Sequence, residues 1–239
     1  MLKGKKVLVT GASRGIGYQA ALDAARRGAH VIAVARTVGG LEELDDEIKA
    51  MGSSATLVPL DLKDGAAIDR LGKAVFDRWD RLDALAINAG MLGPLSPLPH
   101  FSPKDFEEVL EVNVTAAYRL LRSLDMLLRR SDNGRVAFVS SAAAQSAKPF
   151  WGLYAASKAA LNAMAKSYAG ELVQSKIRVN VFYPGAVRTA MRAQAMPGED
   201  PKTLPAPAEV APKLVDLLSP QCTQHSKIFD VRSDKFSDI

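Results

Sequence analysis

The stretch TGASRGIG, residues 10–17, lies between a short apolar run, KVLVT at 6–10, and a segment with helical periodicity. Its glycines Gly11, Gly15 and Gly17 permit a tight turn, a close approach of the backbone to a ligand, and close packing of the next helix. The free N–H groups at the start of that helix favour a pyrophosphate. A glycine-rich turn alone is a weak signal, but its position between a strand and a helix favours dinucleotide binding.

Apolar, β-rich runs alternate with helical segments along the chain. They lie at 6–10, 30–35, 55–60, 82–87, 135–140 and 177–182, with a weaker run at 227–231. Strands that are apolar on both faces and alternate with helices indicate a parallel sheet covered on both sides. We therefore predict an α/β fold: a single-domain, Rossmann-like, doubly wound parallel sheet of about seven strands, spanning residues 1–239.

Two proline-rich segments, 91–103 and 192–208, are too long for ordinary connections. Each follows the carboxyl end of a predicted strand, where ligands bind in open α/β sheets. We expect both to be functional or mobile, with a lid or substrate loop at about 190–208.

Composition excludes several other classes of protein. The net charge is +5, but the basic residues are scattered and no nucleic-acid motif is present, so nucleic-acid binding is not expected. No apolar stretch reaches the roughly 20 residues that span a bilayer, and the first residues lack the pattern of a secretory signal. The single cysteine, Cys222, fits a reducing compartment. We expect a cytoplasmic protein without membrane contact or a metal, since the three histidines show no ligand spacing.

The second strand indicates which dinucleotide binds. An NAD site usually places a carboxylate about 20 residues beyond the glycines. Here Ala35 and Arg36 occupy that region. A guanidinium can bind a 2′-phosphate through two hydrogen bonds, and Arg14 could supply a second cation. NADP(H) is therefore predicted over NAD(H); the alternative is that Arg36 is a solvated surface charge.

The ordered set of motifs resembles the short-chain dehydrogenase/reductase family. TGASRGIG is followed by NAG at 88–90, Asn113, Ser141, YAASK at 154–158 and PGAVRT at 184–189, so the resemblance runs from about residue 5 to residue 190. The family uses the spacing T-G-x-x-x-G-x-G, as found here. Each motif alone is modest, but the ordered set is specific.

The resemblance implies a catalytic group. Tyr154 would exchange a proton with the carbonyl or hydroxyl of the substrate, and Lys158 would lower the Tyr154 pKa and hold the nicotinamide ribose. Ser141 would bind the reacting oxygen, with Ser140 as the other candidate. Asn113 would hold a water that links Lys158 to solvent.

The resemblance also implies contacts with the cofactor. They fall on the glycine turn, the ends of the second to fourth strands, the catalytic helix and the segment after the sixth strand: Gly11, Ser13, Arg14, Gly15, Ile16, Gly17, Arg36, Asp61, Leu62, Asn88, Ala89, Gly90, Tyr154, Lys158, Pro184, Gly185, Val187 and Thr189.

Elementary chemistry supports the Tyr154–Lys158 pair. A phenol has a pKa near 10, and residues four apart on a helix share a face, so a lysine there favours the phenolate. The same pair is common on exposed helices, however, and the other motifs are needed to interpret it. Asn113 is a poor choice inside a helix, which favours a functional role. Thr189 could simply cap a short helix.

Apolar residues flank the expected site: Met91, Leu92, Phe150, Trp151, Met191 and Met196. They indicate a hydrophobic or neutral carbonyl or alcohol substrate, although they could instead pack the loop bases. Arg188 and Arg192 could bind an anionic substrate, so that alternative remains open. Two other functions also remain open: a non-catalytic redox sensor or scaffold that binds a dinucleotide, and a NAD-linked alcohol dehydrogenase.

Assembly is inferred from the resemblance. The family is commonly dimeric or tetrameric through the helices that carry Asn113 and Tyr154, and segments 104–130 and 152–174 are long and amphipathic. We expect a homodimer or homotetramer. The ending KIFDVRSDKFSDI lacks the family's V-D-G-G type of strand, which makes the dimer the better prediction.

Overall fold

The computed structural model describes residues 2–239, which form one sheet with helices on both faces. The strands are β1 (Lys6–Thr10), β2 (His30–Ala35), β3 (Ala55–Pro59), β4 (Ala84–Ile87), β5 (Arg135–Val139), β6 (Arg178–Tyr183), β7 (Lys227–Asp230) and β8 (Lys235–Asp238). Their spatial order is β3-β2-β1-β4-β5-β6-β7-β8. The first seven are parallel, and β8 pairs antiparallel with β7.

The predicted fold class is confirmed, but the number of strands is eight rather than about seven. The additional strand has the sequence KFSD, and all four of its residues are exposed. It has no apolar face to bury, so hydrophobic patterning could not reveal it. It exists because its backbone pairs with β7 and because Phe236 packs against Phe229, with ring centres 5.0 Å apart.

Nine α-helices are defined in the described part of the chain: α1 (Gly15–Arg26), α2 (Val38–Ala50), α3 (Gly65–Trp79), α4 (Pro103–Leu110), α5 (Ala116–Arg129), α6 (Ala143–Ser146), α7 (Gly152–Glu171), α8 (Ala190–Ala195) and α9 (Pro207–Leu218). Helices α1, α2 and α9 cover one face of the sheet, and α3, α5 and α7 cover the other.

The strands bury both of their faces. In β1, Val7 and Val9 belong to the apolar core under α1, α2 and α9, whereas Leu8 belongs to the core under α3, α5 and α7. All three are fully buried. Successive side chains of a strand point to opposite faces, so an uninterrupted apolar run supplies both cores at once.

The strand order reverses between β1 and β4, which lie side by side at the centre of the sheet. The connections after these two strands leave toward opposite faces and open a crevice at the carboxyl edge, the usual ligand site in this architecture. The two long proline-rich segments follow β4 and β6 and reach the same edge.

None of the helices within residues 2–239 is both long enough and apolar enough to cross a membrane. Across those same residues, the structure brings together no group of three or more His, Cys, Asp or Glu side chains able to hold a metal ion.

Candidate active site

Thr10, at the end of β1, joins the two loops that flank the crevice. Its hydroxyl donates to the Ala86 carbonyl (3.2 Å) and accepts from the backbone N–H groups of Asn88 (3.0 Å) and Ala89 (3.1 Å). The Asn88 amide donates in return to the Thr10 carbonyl, at 2.8 Å. The glycine-rich turn and the NAG segment are therefore held as one unit.

Two glycines of the turn are required by their contact with Asn88. A Cβ on Gly11 would lie 2.9 Å from the Asn88 amide nitrogen, and Gly11 also has a φ of +68°. A Cβ on Gly17 would lie 2.3 Å from that nitrogen. A Cβ on Gly15 would instead stand 3.5 Å from the Thr189 methyl, so the turn also faces the segment after β6.

The start of α1 is open to an anion. Arg14 occupies the N-cap position in an extended conformation, and no side chain caps the helix. The side chains of Arg14 and Arg36 are exposed, and neither forms an ion pair within residues 2–239. A Cβ on Gly40 would lie 2.6 Å from the Ser13 carbonyl, so the turn packs against α2, which follows Arg36. Two unpaired cations thus lie on neighbouring loops beside a free helix N-terminus, the arrangement that binds phosphate groups.

The remaining sequence-predicted cofactor residues also lie at the carboxyl edge of the sheet. Asp61 and Leu62 follow β3, and one Asp61 oxygen accepts from the Lys63 backbone N–H at 3.0 Å. Pro184 and Gly185 follow β6 directly, and Val187 is buried.

Thr189 caps a short helix, which was the alternative interpretation of this residue. Its hydroxyl accepts from the Arg192 backbone N–H at 3.2 Å and so begins α8. The same residue faces Gly15 through its methyl, so capping and a place beside the glycine turn are compatible.

Tyr154 and Lys158 lie on one face of α7 and are 8% and 3% exposed. The Lys158 ammonium donates to the Val139 carbonyl at the end of β5, at 2.9 Å, and stands 5.8 Å from the centre of the Tyr154 ring. A Cβ on Gly90 would approach the Lys158 ammonium to 3.3 Å. The pair therefore points into the crevice rather than toward solvent.

Burial moves the two pKa values in opposite directions. It raises the pKa of Tyr154 to about 12, and a hydrogen bond with Ser141 works against that rise. It lowers the pKa of Lys158 to about 8. The ammonium is directed at the Val139 carbonyl, and the loss of hydration of the phenolate dominates the pKa of Tyr154 in this geometry, so the lowering of that pKa by Lys158 stays a prediction.

Of the two candidate serines, Ser141 faces the tyrosine. Its side chain lies close enough to Tyr154 to oppose the rise of that pKa, and its hydroxyl accepts from the Ala143 backbone N–H at 3.2 Å. Ser140 is 2% exposed, and its hydroxyl donates to the Lys158 carbonyl at 3.4 Å. Ser140 therefore fastens β5 to α7, whereas Ser141 is directed to the phenol.

Asn113 lies where the helical stretch between α4 and α5 widens into a π-helical turn at Glu111–Thr115. Its side-chain oxygen accepts from the Met91 N–H (2.8 Å), and its amide donates to the Met91 carbonyl (2.9 Å) and to the Ser157 hydroxyl (2.9 Å). The Ser157 hydroxyl donates onward to the Tyr154 carbonyl at 2.7 Å. Asn113 thus connects the loop after β4 with the helix that carries Tyr154.

An apolar cluster surrounds Tyr154, which we call the tyrosine cluster. Its buried members are Leu92, Tyr154 and Ala195, against which Leu95, Ala143, Trp151, Met191 and Met196 pack. The Trp151 ring meets the Tyr154 ring edge to face at 6.0 Å. The loop after β4 and helix α8 therefore both reach the tyrosine. Of the six apolar residues expected near the site, Phe150 is instead 59% exposed, and Met91 is held through its backbone by Asn113.

Comparison with known proteins identifies the class to which this site belongs. Residues 5–200 match the short chain dehydrogenase family. Over 221 residues the chain is 39% identical to YciK, an uncharacterized oxidoreductase of Escherichia coli K12, covering 91% of this chain and 87% of the relative. The chain therefore belongs to the short chain dehydrogenase family and is an oxidoreductase.

Two solved structures are also similar. A short chain dehydrogenase of Shigella flexneri 2a complexed with NADP has a TM-score of 0.92 and 36% identity, covering 97% of this chain and 98% of its own. A short chain dehydrogenase of Escherichia coli CFT073 complexed with NADPH has a TM-score of 0.91 and 37% identity, with 96% and 97% covered.

Three residues with a direct place in the site were not identified from the sequence. Thr10 and Ser157 lie inside the quoted motifs TGASRGIG and YAASK, and both serve as hydrogen-bond junctions. Glu199 binds Arg192 through both carboxylate oxygens, each at 2.6 Å. Because Thr10 and Ser157 lie inside motifs, the sequence could have identified them as site residues. Nothing in the sequence pairs Glu199 with Arg192.

Proposed function

We propose that the protein is an NADP(H)-dependent oxidoreductase that reduces a hydrophobic or neutral carbonyl compound, or oxidises the matching alcohol. The observation that carries the proposal is the buried Tyr154–Lys158 pair, with Ser141 beside the phenol. This group stands at the crevice formed by the glycine turn and the NAG segment, where a dinucleotide fits.

The residues present fit NADP(H). The contacts of Gly11 and Gly17 with Asn88 shape the turn, the α1 N-terminus is uncapped, and Arg14 and Arg36 have no anionic partner within residues 2–239. The NADP and NADPH complexes of the two similar structures agree with this choice. The cofactor supplies the hydride; the residues predicted to hold it are the glycine turn, Arg36, Asp61, Leu62, the NAG segment, Lys158 and the 184–189 segment.

Tyr154 is the proton donor. Because its pKa is raised to about 12, the phenol carries its proton at neutral pH, as a general acid for carbonyl reduction must. Ser141 binds the same reacting oxygen and orients it. Lys158, with a pKa lowered to about 8, is largely charged at neutral pH and stabilises the phenolate left after the proton has moved.

Asn113 organises this group through its side chain. Both of its amide hydrogens are used, on Met91 and Ser157, so a water that joins Lys158 to solvent would be held by an oxygen of Asn113 rather than by its amide N–H groups. The π-helical turn supports this role, since such turns occur frequently at functional sites.

The substrate class follows from the tyrosine cluster. Its members are aliphatic or aromatic, and methionines such as Met191 and Met196 adapt to varied shapes. Arg192, a candidate for binding an anionic substrate, is already neutralised by Glu199. These two observations favour a neutral, apolar compound over a charged one.

We further propose one catalytic domain over residues 1–239, with segment 190–208 over the site, acting in the cytoplasm as a homodimer. Exposed apolar side chains on α5, Tyr118 and Met126, support a subunit contact along α5 and α7. The outer edge of β7 is covered by β8, which favours the dimer over a tetramer.

NADPH consumption with a panel of ketones, aldehydes and quinones, run beside Tyr154→Phe, tests the function. We expect turnover of apolar members and its loss in the variant. Turnover that survives removal of the phenol would overturn the assignment of Tyr154. NADPH binding without turnover of any compound would favour the redox sensor, and equal use of NADH would favour the NAD-linked alternative.

A further inference from the structure

Two large apolar side chains stand exposed at the edge of the tyrosine cluster. Leu98 is 65% exposed and Phe150 is 59% exposed; we call this pair the apolar rim. Both are next to cluster members in the chain, since Leu95 precedes Leu98 by three residues and Trp151 follows Phe150. Single exposed apolar residues are ordinary, but two beside an apolar site form a surface that a ligand can cover.

The structure holds the two sides of the rim together. The Ser96 N–H donates to the Phe150 carbonyl at 3.1 Å, which joins the loop after β4 to the segment before α7. A Cβ on Gly152 would lie 2.9 Å from the Leu98 Cδ1, so the Leu98 side chain packs over the start of α7. The rim is therefore formed by two joined segments, which also carry Leu95 and Trp151 of the tyrosine cluster.

Phe150 is displayed in an unfavourable backbone conformation. Its φ is +70°, in the left-handed region that bulky residues avoid, and Ala147 in the same short segment has a φ of +38°. A residue persists in such a conformation only where the surrounding structure imposes it, and such residues concentrate at ligand sites. The segment thus holds a large aromatic ring outward at the edge of the site.

We propose that the apolar rim is a subsite for an extended apolar tail of the substrate. The inference rests on the proposed function: the reacting carbonyl lies at Tyr154, the first carbons fill the tyrosine cluster, and a longer alkyl or arylalkyl tail passes out over Leu98 and Phe150. The occupant is a substrate tail because the rim lies on the two segments that carry Leu95 and Trp151 of the cluster that contains Tyr154.

A series of straight-chain aldehydes from butanal to dodecanal tests the subsite with NADPH as the reductant. In the wild-type enzyme kcat/KM should rise about threefold to fourfold for each methylene that becomes buried, mainly through KM. In Phe150→Ser and Leu98→Ser the rise should stop at shorter chains. Val173→Ser removes an apolar side chain that is 62% exposed in the turn after α7, and it should behave as the wild type.

Phe150→Gly separates a role in substrate binding from a role in folding. Glycine adopts positive φ without strain, so the melting temperature should be unchanged or higher, while the preference for long chains falls. A loss of the preference that occurred only with a lower melting temperature would contradict the subsite.

Two further outcomes are decisive. Active enzyme with the same chain-length slope in wild type, Phe150→Ser and Leu98→Ser would overturn the subsite alone, as would a change of oligomeric state in either variant by light scattering, which would make the rim a subunit contact. An enzyme that binds NADPH but reduces no aldehyde of any length would overturn the proposed function and the subsite with it.

Discussion

At the residue scale, one physical cause explains the state of both proposed catalytic side chains, Tyr154 and Lys158. Burial disfavours charge, so it raises the pKa of Tyr154 and lowers the pKa of Lys158. The result is a phenol that holds its proton and an ammonium that titrates close to neutrality. The motif YAASK predicted the pair, but not these directions, because spacing along a helix does not report how much water is lost when the helix packs.

The pH dependence of reduction should follow Lys158. Since burial lowers its pKa to about 8, the side chain is charged below that pH and neutral above it. We expect kcat/KM for carbonyl reduction to fall as the pH rises through about 8. Lys158→Arg, which stays charged, should be less active at neutral pH but should move the falling limb to higher pH. If kcat/KM of Lys158→Arg fell at the same pH as that of the wild type, the titrating group would be one other than Lys158.

The neighbouring serines provide a matched pair of variants. Ser141→Ala removes the hydroxyl beside Tyr154 and should lower kcat by about 100-fold, as the loss of one oxyanion donor does. Ser140→Ala removes a buried hydrogen bond to the Lys158 carbonyl and should lower the free energy of unfolding by about 1 kcal/mol. Steady-state kinetics and denaturant titration of both variants check the assignment, which fails if Ser140→Ala shows the larger loss of kcat.

Arg36 should decide the choice of dinucleotide. Its guanidinium has no ion-pair partner among residues 2–239, so it is available to a 2′-phosphate. Arg36→Ala should raise the Kd for NADPH about tenfold or more, while the Kd for NADH changes little. Arg26→Ala, which alters an exposed cation at the other end of α1, is the control. An equal rise in the Kd for NADPH and for NADH would show that Arg36 does not recognise the 2′-phosphate.

At the element scale, the sequence predicted what depends on local patterning. Buried strands such as β1 and β5 appear as apolar runs, and the turn at Gly11–Gly17 follows from backbone geometry. It did not predict elements that depend on distant partners. Strand β8 needs the edge of β7, and the π-helical turn at Glu111–Thr115 needs Met91 and Ser157 to bind Asn113. Only the folded chain brings these groups together.

Helix α8 forms one side of the site. The Thr189 hydroxyl caps its start, and the Arg192–Glu199 ion pair fastens its last turn to the chain beyond. Met191 and Ala195, one turn apart, then face Tyr154. A six-residue helix has little stability of its own, so these two fastenings determine where the methionine lies.

Breaking the ion pair should therefore loosen substrate binding. Glu199→Gln removes a pair whose side chains are only 25% and 29% exposed, and we expect KM for an apolar carbonyl to rise about threefold to fivefold with little change in kcat. The exchanged pair Arg192→Glu with Glu199→Arg should recover most of the loss. Lys213→Gln removes an ion pair with Asp234, away from the tyrosine cluster, and serves as the control. A fall in kcat at constant KM would contradict a positioning role.

At the scale of the whole molecule, a single histidine joins three parts of the fold. The His225 Nδ1 accepts from the Val179 N–H of β6 at 3.2 Å, and its Nε2 donates to the Ala169 carbonyl of α7 at 3.0 Å. His225 itself lies in the connection between α9 and β7. This arrangement requires the neutral ring, because a protonated Nδ1 cannot accept a hydrogen bond. The three histidines have no metal-ligand spacing along the chain, and their positions could not show that one of them bridges a strand and a helix.

The stability of the fold should consequently fall in weak acid. Burial, assisted by the nearby Arg178 charge, lowers the pKa of His225 below its ordinary value of 6.5, so the unfolded chain takes up the proton first. The contribution of the neutral ring is therefore complete above about pH 6.5 and is lost progressively as the pH falls toward the lower folded pKa. His30, whose pKa burial also lowers, contributes in the same direction. Between pH 7.5 and pH 5, the melting temperature should decline less steeply in His225→Gln than in the wild type. The variant itself should be less stable than the wild type at pH 7.5. The control, His100→Gln, changes an exposed residue and should follow the wild-type slope. If the melting temperature of His225→Gln declined with pH as steeply as that of the wild type, the bridge would not depend on the neutral ring.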